Sequence, residues 1–171
     1  HHQPRRQRQM CIRDSSHGYQ LHASPNHPKS RGEITLNSSD PYDYPKILFN
    51  YLKEEEDLKQ TRECIHVARK ILSQPALAEH AGDEVGPGFD AQSDDELNEY
   101  IRSKADTAYH PCGTCKMGVD DMAVVDQDLR VNGIGNLRVI DASVIPEIPS
   151  ANLNAPTLMI AEKGSEAILN N

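Results

Sequence analysis

Tryptophan is absent from this 171-residue chain, phenylalanine occurs twice, and aromatic residues make up 5% of it. A tryptophan-based aromatic cage for a quaternary ammonium group therefore cannot be assembled from these residues alone. No apolar run approaches the roughly 20 residues that a membrane-spanning helix needs. The start of the chain also lacks the apolar core of a secretory signal. There is no internal repeat. The G-x-G-x-x-G fingerprint that cradles a dinucleotide pyrophosphate at the first turn of a βαβ unit is missing as well.

Positive charge is in deficit. The formal net charge is -8, which argues against nucleic acid or an anionic membrane surface as the main partner. The imbalance is uneven. Residues 1-18 carry Arg5, Arg6, Arg8 and Arg13 against Asp14 alone, a net +3 that leaves -11 for the rest. That opening stretch is rich in Gln, His and Arg without periodicity, and it reads as a disordered or artefactual tail. With neither a signal nor a span in these residues, the expected location is cytoplasmic or peripheral to a membrane.

Cysteine is sparse too. Cys11, Cys64, Cys112 and Cys115 do not make a disulfide framework in a chain this long. Cys112-Gly-Thr-Cys115 has the C-x-x-C spacing of a zinc half-site or a redox pair. A zinc site needs further ligands, and no second C-x-x-C or H-x-x-x-H is present. A thioredoxin-like pair opens a helix, whereas Gly113 and Gly118 would break one. The pair reads as two small residues packed in a turn, and no metal site is expected.

The residues that are present predict an α+β fold. Glu33-Ile34-Thr35-Leu36-Asn37 alternates as a half-buried strand does, and Lys46 to Tyr51 is a second extended candidate. Between Lys53 and Ser73 the period becomes helical, with Leu58, Ile65, Ala68, Ile71 and Leu72 on one face. The run Glu54-Glu55-Glu56-Asp57 falls in the first turn and reads as a solvated helix start favoured by the dipole. His66, on the polar flank, reads as inert. Ser93-Asp94-Asp95-Glu96 fits a capping box, followed by the buried stripe Leu97, Tyr100 and Ile101.

Beyond that helix lies Tyr109-His110-Pro111-Cys112-Gly113-Thr114-Cys115-Lys116-Met117-Gly118. A proline disfavours the helical conformation of the residue before it, so His110 is expected in extended backbone. An imidazole titrates near neutrality and suits proton transfer. Taken alone, a turn histidine is more often chemically silent. Ala123 to Asp126 and Leu137 to Asp141 are short β-rich runs, and Asp141-Ala142-Ser143 ends the second, a common place for a ligand contact in open sheets. Pro156 is expected at the first helical position of a helix over Leu158 to Leu169. The unpaired amides at such a helix start can face a polar ligand edge.

Taken together, His110-Pro-x-Gly-Thr-Cys-Lys-Met-Gly, Ala-Val-Val-Asp126, Asn136-Leu-Arg-Val-Ile-Asp141-Ala-Ser and Asn152-x-Asn154-Ala-Pro-Thr-x-Met-Ile-Ala-Glu-Lys163 resemble the C-terminal portion of the glucose-methanol-choline (GMC) oxidoreductases. The likeness extends upstream through Pro28-Lys-Ser-Arg-Gly32, Ser39-Asp-Pro41 and Asn50-Tyr-Leu52, covering roughly residues 20 to 170 in one register. Ala105-Asp-x-Ala-Tyr-His-Pro with Asn152-Leu-Asn-Ala is most similar to the choline-oxidising branch, and other aliphatic alcohol dehydrogenases share most of it.

This resemblance implies an FAD-dependent enzyme that oxidises a primary alcohol. It implies His110 as the active-site base and Asn152 as its partner, while Asp141, Ala142, Asn154, Ala155, Pro156 and Thr157 would border the FAD. The absent G-x-G-x-x-G implies that most of the cofactor site lies in a missing N-terminal half, so the chain is expected to be the C-terminal part of a longer enzyme. Residues 19-118 would then belong to a mostly antiparallel substrate-domain sheet with its helices. Residues 119-171 would return a strand and the last helix to the FAD domain. The electron acceptor is left open, and a non-catalytic α+β binding module is the alternative reading.

Overall fold

The structure is a computed structural model that describes residues 18-170. The tail expected over residues 1-18 lies, except for Gly18, outside the described residues. Two short strands come first, β1 (Glu33–Thr35) and β2 (Lys46–Leu48). They pair antiparallel, with Ile34 opposite Ile47. Gly32 leads into β1 where the carbonyls of Leu48 and Phe49 leave no room for a Cβ. Asn50, at the far end of β2, donates its side-chain amide to the Arg31 carbonyl at 3.0 Å and closes the pair.

The expected half-buried sheet is not what forms. Among the described residues the sheet has two strands, and both are exposed along their length, Ile34 at 51% and Ile47 at 55%. A strand buries a face only against further strands or a helix, and a two-stranded pair has neither.

Three α-helices follow: α1 (Glu55–Leu72), α2 (Asp94–Lys104) and α3 (Asn154–Leu169). α1 packs on α2, with Leu58, Leu97 and Ile101 buried while Cys64, Ile65, Ala68 and Leu72 are half-buried. Ile71, expected in that stripe, is exposed. The last turns of α1 face the loop before α2, to which Arg69 is tied through Glu84 and the carbonyls of Gly88 and Ala91. No second apolar face meets Ile71 there. The α2 capping box forms as expected, with Ser93 Oγ accepting from the Glu96 amide and Glu96 Oε2 accepting from the Ser93 amide at 2.9 Å.

The acidic start of α1 is not wholly solvated. Asp57 is 2% exposed. Its two carboxylate oxygens accept the backbone amides of Lys29 and Ser30 at 2.6 and 2.7 Å. Burial opposes its ionisation, yet those amides, the Ser30 hydroxyl and Arg31 together outweigh it and hold the carboxyl below its ordinary value. Asp57 thus clamps the segment before β1 onto α1. Asp57→Asn should cost about 2-3 kcal/mol, the worth of charge-assisted bonds to a buried acceptor. Because the folded-state value is depressed, this stabilisation is complete above the ordinary 3.8 and is lost as pH falls through the lower folded-state value. Melting curves of parent and Asp57→Asn should therefore converge as the pH drops below 3.8.

The C-terminal core gathers Val125, Leu129, Val144, Ile145, Leu153 and Ile160. The β-rich runs that feed it do not form strands. Residue pairs bridge singly, Met117 with Val125, Val125 with Val131 and Arg130 with Arg138. The reason is the density of turns. The Asp126 carboxylate accepts the amides of Asp128 and Arg130, and Leu129 adopts a φ of 63° between them. The expected strand ending at Asp141 is an extended stretch that bridges at Arg138 and then enters a short 3-10 helix, Ala142–Val144.

α3 begins at Asn154, so Pro156 stands at the third helical position rather than the first. The missing amide hydrogen is harmless at either place, since the first-turn amides have no partner within the helix. α3 lies on the preceding extended stretch through Gly164, where a Cβ would collide with the side chain of Ile140. That close approach explains a glycine in mid-helix, despite the cost of about 1 kcal/mol relative to alanine. The outer side of α3 leaves Leu158, Met159, Ile168 and Leu169 exposed. No helix among the described residues is long and apolar enough to cross a membrane.

Candidate functional site

Tyr109 has a φ of 60°, a left-handed conformation that is an outlier for a bulky residue. Its amide donates to Thr107 Oγ1 at 3.0 Å, which helps to hold the turn. His110 follows at once, in irregular backbone and half-buried. Gly113 then takes a φ of 87°, with the Ile145 carbonyl 3.3 Å from where a Cβ would sit. The chain runs on against the 3-10 helix, the Cys115 amide donating to the Ser143 carbonyl at 3.0 Å and the Met117 amide to the Val144 carbonyl at 2.9 Å. The loop after His110 and the segment bearing Asp141 and Ala142 are thereby one hydrogen-bonded unit.

His110 and Asn152 line the same cleft, of about 220 Å³. Its other walls are Ser24, Pro25 and Asn26 on one side and Ile148 to Ala151 on the other, with Ala108 beside the histidine. A ring nitrogen and a carboxamide on the lining of one cleft can together hold a hydroxyl, one taking its proton and the other donating to its oxygen. A larger cleft of about 440 Å³ lies between residues 127-129 and the second half of α3. Met117, Leu129, Met159 and Ile160 line it, and it contains none of the residues expected to act on the substrate or border the cofactor. Both residues expected to act on the substrate lie in the smaller cleft.

The six residues expected at the cofactor stand outside the lining of this cleft, in two groups. Asp141 is exposed and its Oδ1 accepts the Ser143 amide at 2.8 Å, while Ala142 packs against the core. Asn154, Ala155, Pro156 and Thr157 form the first turn of α3, two residues beyond Asn152. Leu153 precedes them without a side-chain cap, and Thr157 spends its hydroxyl on the Leu153 carbonyl at 2.7 Å. The amides of Asn154 and Ala155 are thus open to an outside acceptor, as the polar edge of a flavin ring would require. This donor set fits such a group.

Cys112 and Cys115 are free thiols, both half-buried. Burial pushes the Cys112 thiol above its ordinary value, against a smaller opposing pull from Arg31. It packs against the C-terminal core. Among the described residues no cluster of three or more His, Cys, Asp or Glu side chains could hold a metal ion.

Sequence reasoning passed over the wall opposite Ile148 to Asn152. Ser24 to Asn26 carry no chemical signature. His27 carries one: it stands directly before Pro28, the same dipeptide as His110-Pro111. Its Nε2 is 2.7 Å from Ser150 Oγ, joining the two walls of the cleft.

The GMC oxidoreductase family model matches residues 28-161. An oxygen-dependent choline dehydrogenase of Klebsiella pneumoniae subsp. pneumoniae is 51% identical over 152 residues, 89% of this chain and 27% of that relative. One from Vibrio vulnificus is 50% identical over 155 residues, 90% of this chain and 28% of its own length. Among solved structures, pyridoxine 4-oxidase from Mesorbium loti superposes with a TM-score of 0.80 at 34% identity, covering 85% of this chain and 28% of its own. A fungal aryl-alcohol oxidase gives a TM-score of 0.78 at 34% identity, over 85% of this chain and 24% of its own. The chain thus spans about a quarter of the length of the proteins it matches.

Proposed function

The chain belongs to the GMC oxidoreductases, a family of FAD-binding flavoproteins, and from that premise we propose that it is the C-terminal part of an enzyme oxidising choline to betaine aldehyde. The observation that carries this reading is the shared cleft of His110 and Asn152, in a chain 51% identical to a choline dehydrogenase over most of its length. A ring nitrogen of His110 accepts the proton of the alcohol hydroxyl. The Asn152 amide donates to the same oxygen as its negative charge grows, where a preorganised donor counts most. Bound FAD would supply the hydride acceptor for the carbinol carbon, and loss of one proton and one hydride would turn the alcohol into the aldehyde.

Residues 19-118 belong, in this reading, to the substrate side and residues 119-171 to the flavin side. Asp141, Ala142 and the first turn of α3 hold the edge of the cofactor, with the Asn154 and Ala155 amides as donors. The exposed Leu158, Met159, Ile168 and Leu169 pack against the N-terminal portion of the polypeptide. That portion also supplies the rest of the flavin site and any tryptophan face for the ammonium head, since this chain has no tryptophan.

The full-length polypeptide bearing this sequence should purify with flavin absorbance, and anaerobic choline should bleach it. A protein that folds without flavin would overturn the enzyme reading in favour of a binding module. Flavin bleached by other primary alcohols but not by choline would leave the family and remove the substrate.

A further inference from the structure

Resting on the reading of Asn152 as the donor to the substrate oxygen, we infer that His27 is a positioning residue, which sets the Asn152 amide through Ser150. Asn152 lies in a stretch without regular structure, two residues before α3. A side chain so placed has no helix or strand to fix it, and a displacement of 1 Å in a catalytic group can cost about 10²-fold. The cleft wall that carries Asn152 is tied across the cavity by the 2.7 Å contact between Ser150 Oγ and His27 Nε2. His27 is held in turn from its C-terminal side. Pro28 restricts its backbone, and the next two amides are clamped by the buried Asp57 carboxylate. A rigid anchor on α1 thus reaches the loop of Asn152 through one imidazole. The pair shares a single hydrogen, and His27 itself does not line the cleft, so its effect on the reaction passes through the wall it holds.

The test uses the flavin-loaded full-length enzyme. His27→Ala and Ser150→Ala should each slow flavin reduction at saturating choline by about tenfold, and the double variant should be no slower than the worse single one, as expected for two halves of one contact. Ser150→Thr, which keeps the hydroxyl, should restore the parent rate. In an Asn152→Ala background His27→Ala should have no further effect.

A readout apart from turnover separates positioning from general distortion. Tetramethylammonium has the head group of choline and no hydroxyl, so its dissociation constant, read from the flavin spectrum, should stay within about twofold of the parent. If His27→Ala leaves reduction unchanged while Asn152→Ala slows it, this inference falls and the proposed function stands. Weaker tetramethylammonium binding in step with the rate would make His27 a structural residue and overturn it. If Asn152→Ala itself is as fast as the parent, the reading of Asn152 fails and takes this inference with it.

Discussion

His110→Ala should lower the rate of flavin reduction by choline by about 10²-10⁴, the usual worth of a positioned acid-base group. The expectation rests on where the ring sits. His110 is half-buried in a cleft with room for a small alcohol. A strained Tyr109 on one side and Pro111 on the other restrict its backbone. Flavin content should survive the substitution, because none of the residues proposed to hold the cofactor contacts the His110 side chain through a hydrogen bond. The loss should also be partly recovered at higher pH, where the alcohol needs less help in giving up its proton. Stopped-flow reduction across a pH series, on protein of equal flavin loading, would measure both effects.

Asn152→Ala should slow the same step by about 10²-10³, as loss of one donor to a developing oxyanion does. Asn152→Asp should be at least as harmful, because a carboxylate repels the charge that the amide would stabilise. If both groups act on one oxygen, the losses from His110→Ala and Asn152→Ala should not add, and the double variant should be little slower than His110→Ala alone. Full additivity would mean that the two residues act on separate atoms or at separate steps.

What could be read from the sequence was what local rules determine. The capping box at Ser93 and Glu96 is a contact within one turn, and the helical period from Lys53 to Ser73 is written in one segment. Both were legible for that reason. The strands were over-read, since alternation in Glu33 to Asn37 describes a surface that could be half-buried, whereas burial requires partners that two strands alone do not have. The run Leu137 to Asp141 has the composition of a strand, but the Asp126 turn and the positive φ of Leu129 limit its pairing with residues 129-131 to a single bridge.

The candidate site divides in the same way. His110 and Asn152 stood out by resemblance, while their meeting in one cleft depends on how the loop after Gly113 lies against residues 143-146. Asp57 looked like one of four acids on a solvated helix end. Only the arrival of two amides from a segment far upstream makes it a clamp. His27 escaped notice because its partner is 123 residues away. Long-range pairs of polar side chains leave no periodic trace, and a His-Pro dipeptide is the one local sign that both histidines share.

The most direct measurement of the central claim is anaerobic, single-turnover reduction of the bound flavin by choline in the full-length enzyme, parent against His110→Ala. The account predicts rapid bleaching in the parent and a rate lower by about 10²-10⁴ in the variant at unchanged flavin content. A His110→Ala enzyme reduced as fast as its parent would contradict it, and the cleft between His110 and Asn152 would then not be where the alcohol is oxidised.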